Sequence, residues 1–117
     1  MKAKTKAQMV ATAVLASALV GCFEPSGKNF EGAWIHKINP KMHPDKLDIS
    51  CSAGYCDIYE TSWNRIVGES YEEPSFSKAK LQSEDILVWE GIPLSAYFNH
   101  GEITMDGRVY IRRGKDE

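Results

Sequence analysis

Residues 47–59 read LDISCSAGYCDIY, and this stretch decides the fold class. Leu47, Ile49 and Cys51 alternate with Asp48 and Ser50; beyond Ser52 to Tyr55, Cys56 and Ile58 alternate with Asp57 and Tyr59. A period of two sends successive side chains to opposite faces, so each half is a strand with one apolar face. Pairing Cys51 with Cys56 sets Ile49 opposite Ile58, and Gly54 supplies the permissive turn residue. The register that permits a disulfide therefore also gathers the apolar residues on one face.

The same punctuation continues on both sides of this hairpin. From Phe30 to Arg113, short segments rich in Ile, Val, Tyr, Trp and Phe are separated by Gly, Pro, Asn and Asp, which is the mark of strands and turns. Asp106-Gly107, a favoured type I′ pair, predicts a second hairpin between residues 102–105 and 108–112. Residues 85–90 hold Ile86, Leu87, Val88 and Trp89 without alternation, which predicts a strand covered on both faces in the middle of the sheet. Residues 75–83 are the best helical candidate, but the run is short and reads equally well as a strand. Roughly 85 residues of this kind make about six to eight short strands. The expected fold is all-β and mainly antiparallel, a small compact barrel or sandwich. Its interior is filled by side chains, with little room for a wide ligand cavity.

The N-terminal segment has a different composition. Lys2, Lys4 and Lys6 precede an uncharged run rich in Ala, Val and Leu from Met9 to Val20, the n-region and h-region of an export signal. About a dozen apolar residues are too few for a membrane-spanning helix, which needs roughly 20, so a retained anchor is the weaker reading. Leu19-Val20-Gly21-Cys22 then resembles the lipobox of bacterial prolipoproteins. The resemblance implies cleavage after Gly21, a diacylglycerol on the Cys22 thiol and acylation of its new amino group. Two or three acyl chains hold a protein at a membrane where one holds only marginally. Three segments follow: 1–21 as signal peptide, 22–29 as lipid-anchored tether with Pro25, Ser26 and Gly27, and 30–117 as the β domain. In related lipoproteins an Asp after the lipidated Cys favours inner-membrane retention. Here Phe23 and Glu24 follow, which implies the periplasmic face of the outer membrane.

With Cys22 committed to lipid, Cys51 and Cys56 remain, and an even pair in an oxidising compartment reads as a disulfide. The rival, zinc, lacks both the two-residue knuckle spacing and a second pair. Loss of the signal removes three lysines and no acids, taking the net charge from -2 to -5. No basic stripe interleaved with aromatics appears, and Arg112, Arg113 and Lys115 sit beside Asp116 and Glu117, so nucleic acid is not an expected partner.

Gly32 and Trp34 are similar to the opening Gly-x-Trp of lipocalins, where the aromatic closes one end of the barrel. That resemblance implies a carrier of a small apolar molecule with an open cavity lined by Trp34, Trp63, Trp89 and Phe98. The bland reading of the three tryptophans is core or rim anchors. His36, His43 and His100 could gather with Asp45 around a metal, but residues 39–45, with Pro40 and Pro44, read as an exposed loop with solvated histidines. No Gly-x-Ser-x-Gly elbow, phosphate loop or helical His pair is present, so no catalytic residue, cofactor or metal site is assigned. Glu72 with Glu73, and Glu84 with Asp85, read as solvated turns. Within residues 69–74, Tyr71, Glu72 and Glu73 form an acidic, tyrosine-bearing loop able to meet a basic partner.

The expectation is a membrane-anchored periplasmic lipoprotein that acts by binding an envelope protein, of inhibitor, immunity or exclusion type. The alternatives are the lipocalin-like carrier and an envelope structural lipoprotein. An enzyme comes last.

Overall fold

The computed structural model describes residues 24–64, 66 and 70–114. The expected signal peptide (1–21) and the lipobox with Cys22 lie outside the described residues, as do Phe23, Glu69 and residues 115–117.

Eight antiparallel strands run β1 Gly32–His36, β2 Lys46–Ser52, β3 Tyr55–Thr61, β4 Ser75–Ser83, β5 Ile86–Val88, β6 Ser95–Asn99, β7 Glu102–Met105 and β8 Arg108–Arg112. Each pairs with its sequence neighbour, and β8 returns to pair with β1, so the sheet closes into a barrel with no free edge. The Cys hairpin has the expected register: Cys51 opposes Cys56, Ile49 opposes Ile58, and a disulfide joins the cysteines. The second hairpin also forms as expected, with Asp106 and Gly107 both at positive φ in its turn.

Residues 75–83 settle as a strand, the longest of the eight. Ser77, Ala79 and Leu81 face inward with Ile58 and Cys56 of β3, and the register shifts between Leu81 and Ser83. The stretch expected in the middle of a sheet is corrected. A closed barrel has no middle strand, and β5 is only Ile86–Val88, with Leu87 buried inward and its two neighbours half-buried. Trp89 lies just beyond the strand but keeps its alternation, buried like Leu87 with half-buried Val88 between them: its backbone N donates to Leu94 O, and its indole Nε1–H donates to the Ser77 hydroxyl at 3.0 Å.

Side chains from all eight strands fill the interior, as expected for an eight-stranded barrel. Phe30, Trp34, Leu47, Cys56, Ile58, Ala79, Leu87, Ala96, Ile103 and Tyr110 are almost wholly out of water. The two ends differ. At the end bearing the tight turns 53–54, 84–85 and 100–101, the N-terminal segment folds back as a plug. Gly27 turns at positive φ, its carbonyl accepts from Phe30 N and Glu31 N, and Phe30 drops into the core. Trp34 Nε1–H donates to Phe30 O at 2.8 Å, and both rings meet Phe98 edge-on. The Arg112 guanidinium lies 4.1 Å over the Trp34 ring and donates to the carbonyls of Glu31 and Asn29. Trp34 is thus a core residue, packed beneath the plug at this end of the barrel.

Part of the stretch expected as a tether is fastened to the barrel. Ser26 donates to Glu84 through its backbone N and its hydroxyl, and Asn29 donates to Asp85 Oδ1 at 2.8 Å. Glu84 and Asp85 are therefore clasps for the N-terminal segment and not merely solvated turn residues.

Candidate functional site

The opposite end carries the longer connections, 37–45, 62–74 and 89–94, together with the 106–107 turn. Alternation continues into this end: after Cys56 and Ile58, the next inward position of β3 is Glu60, and on β8 the inward set is Arg108, Tyr110 and Arg112. Charged side chains thus occupy positions where the pattern otherwise places apolar ones. Glu60, Leu94, Met105, Asp106, Arg108 and Tyr110 line an open-mouthed cavity of about 220 Å³.

The electrostatics of this mouth are uneven. Arg108 is already paired, its guanidinium donating to Asp45 at 2.6 Å. The Asp45 side chain is 14% exposed, so that pair is shielded on one side. Glu60 is half-buried, and among the described residues no ion pair or hydrogen bond holds its carboxylate. Burial first, and then the charge of Asp45, push its pKa above the ordinary carboxylate value, while Arg108 pulls the other way. Tyr110 is fully buried, and its hydroxyl lies near the Arg108 guanidinium but makes no well-formed hydrogen bond among the described residues. Burial raises the phenol's pKa and so keeps it protonated.

Tyr71, Glu72 and Glu73, the residues expected to meet a partner, sit on the rim of this same end. Tyr71 is engaged: its hydroxyl donates to Pro44 O at 3.1 Å, its ring meets Trp63 edge-on at 5.0 Å, and Lys46 Nζ lies 4.5 Å above it. Burial and Asp45 raise its pKa. His43 is exposed, as expected of this loop, and it also stacks on Trp63 with ring centroids 3.8 Å apart. Asn39 caps the short 3-10 turn Pro40–Met42 that brings His43 there. Tyr71 is thus a brace between the two longest loops, and Glu72 and Glu73 are the exposed part of the rim.

The three histidines do not converge. His36 and His43 belong to the loop-bearing end and His100 to the opposite turn. Among the described residues no group of three or more His, Cys, Asp or Glu is placed to hold a metal ion. Nor is any helix among them long and apolar enough to cross a membrane.

Glu60, Arg108 and Tyr110 were not singled out from the sequence. A signal existed: Glu60 stands two residues past Ile58 on the inward face of its strand, where a carboxylate breaks the apolar pattern. Its meeting with Arg108 and Tyr110 requires closure of the barrel.

Fold and site together define a small, side-chain-filled antiparallel barrel with one plugged end and one charged, loop-bearing mouth. Comparison of the chain with known protein families, with characterised proteins and with solved structures finds no match.

Proposed function

We propose that the protein is a lipid-anchored envelope lipoprotein, held through Cys22 at the periplasmic face of the outer membrane. It acts as a non-enzymatic protein-binding module of the inhibitor, immunity or exclusion type. The observation that carries this reading is the polarity of the barrel. Residues 24–31 enter at the plugged end, so an anchor at Cys22 leaves the opposite, loop-bearing end free to face outward. That end combines an exposed acidic rim with a half-buried carboxylate, features that favour association with a basic surface. Tethering adds effective concentration without any new contact.

The packing speaks against a carrier. Trp34 and Phe98 meet at 6.4 Å, Trp89 is buried in the core, and Trp63 belongs to the rim cluster. The mouth cavity of about 220 Å³ falls below the roughly 300–1,000 Å³ of pockets that enclose small-molecule ligands.

The test is site-specific photo-cross-linking in intact cells, with the reactive residue at Glu73 on the rim or at Asn99 near the plugged end. One protein partner captured in stoichiometric yield from position 73 and not from 99 is the expected result. Equal products at both positions, or background alone at 73, would overturn the proposal.

A further inference from the structure

We propose that the mouth cavity receives a single basic side chain from the protein partner, its cationic head on Glu60 and the Tyr110 hydroxyl and its aliphatic stem against Leu94 and Met105. This rests on the reading of the loop-bearing end as the partner-binding end and names the chemistry recognised there.

Three observations converge on it. First, the charge balance at the cavity is negative: among the described residues Glu60 and Asp106 line it, while the lining cation Arg108 is already paired to Asp45. An anionic ligand would have to displace Asp45 or sit beside Glu60, whereas a cation supplies the missing counter-charge. Second, Tyr110 lines the same cavity, and among the described residues its buried hydroxyl makes no well-formed hydrogen bond, the Arg108 guanidinium beside it being turned to Asp45. A buried polar atom left unpaired is costly, and a guanidinium or ammonium N–H satisfies its oxygen. Third, Leu94 and Met105 form an apolar stretch of the lining. The alkyl stem of Arg or Lys packs on such a surface while its head remains polar. The cavity volume suits one extended side chain and not a larger ligand.

The test uses the full chain in detergent micelles, carrying 13C-labelled methionine methyl groups. Met105 lines the cavity, whereas Met42 is exposed on a loop and serves as internal control. N-butylguanidinium is expected to shift the Met105 resonance saturably at millimolar concentration and to leave Met42 unmoved. Glu60→Gln should weaken this binding by about tenfold, the scale of one hydrogen bond to a charged group. Tyr110→Phe, which removes only the hydroxyl oxygen, should weaken it by about threefold. A Met105 shift with butyrate in place of the cation would overturn the proposal, as would no shift with either probe. Wild-type affinity in both variants would also overturn it. Saturation at micromolar concentration would instead identify a free small cation as the occupant and refute the side-chain assignment. A partner captured through position 73 with no cation binding at Met105 would leave the binding-module reading standing and remove this one alone.

Discussion

At the residue scale, a few atoms carry disproportionate weight. Gly27 has φ +79°, and a Cβ there would stand 2.5 Å from Cys51 Cβ and 2.8 Å from its sulfur. Both the backbone and the space demand glycine. Gly27→Ala should cost about 2–3 kcal/mol in urea unfolding, and a cost under roughly 0.5 kcal/mol would show that the plug does not bear on the disulfide. Trp34 is fully buried, with its N–H bonded and Arg112 across its face. Trp34→Ala should therefore cost about 3–5 kcal/mol by the same measurement.

Two carboxylates at opposite ends of the barrel should bend the pH–stability curve in opposite directions. Glu84 accepts hydrogen bonds from the Ser26 backbone and hydroxyl, which lower its pKa. The stability it contributes is therefore present above its unfolded-state pKa and lost as pH falls through the folded value. Glu60 is raised by burial and by Asp45, against the pull of Arg108. The native state thus holds that proton more tightly than the unfolded chain, and stability falls as pH rises from the ordinary carboxylate value through the folded one. Tyr110 and Asp106 are the other titratable groups lining the mouth. Melting curves between about pH 4 and 7 should show that Glu84→Gln flattens the acid-side loss. They should also show Glu60→Gln raising Tm toward neutral pH. A lower Tm for Glu60→Gln at pH 7 would contradict the account of that site.

At the scale of the element, the β2–β3 hairpin is specified twice, by alternation and by the disulfide. A crosslink with a sequence separation of 5 removes little chain entropy. Reduction or the Cys51→Ala/Cys56→Ala pair should lower stability by about 2 kcal/mol, with the barrel still folded. Intact mass after alkylation should reveal two labelled thiols only when reduction comes first, and labelling without it would refute the bond. The β4–β5 hairpin obeys a looser rule. Its register shifts between Leu81 and Ser83, and past the short β5 the inward alternation of Leu87 continues to Trp89, whose ring reaches the Ser77 hydroxyl. A linear pattern of four apolar residues cannot distinguish this from a strand buried on both faces.

At the scale of the molecule, closure of β8 on β1 turns eight short strands into a body without edges and gives it two unlike ends. Closure also holds Asp45 against Arg108 across 63 residues of chain. The ion pair is partly shielded, and Arg108→Ala would leave Asp45 beside Glu60 without a cation. Its cost is expected at about 1–3 kcal/mol, beyond that of an exposed pair, because two like charges then share the mouth. A double-mutant cycle with Asp45→Ala measures the coupling, and a value near zero would mean that solvent screens the pair completely.

How much of this was legible depends on the range of the interactions involved. Local patterning specified the all-β class, a count of about six to eight strands, the register of the Cys hairpin and the 106–107 turn. Each rests on contacts between residues close in the chain: a two-residue period, a positive-φ turn pair, two cysteines on facing positions. The choice of barrel over sandwich, the plug of Phe30 against Trp34, the clasp of Ser26 by Glu84 and the cavity joining Glu60, Arg108 and Tyr110 were decided only by tertiary structure. Those contacts link residues dozens of positions apart, and local patterning carries no information about which distant strands meet. Glu60 marks the boundary between the two: its place on the inward face follows from alternation, but the neighbours that raise its pKa and leave room for a guest exist only once the barrel closes.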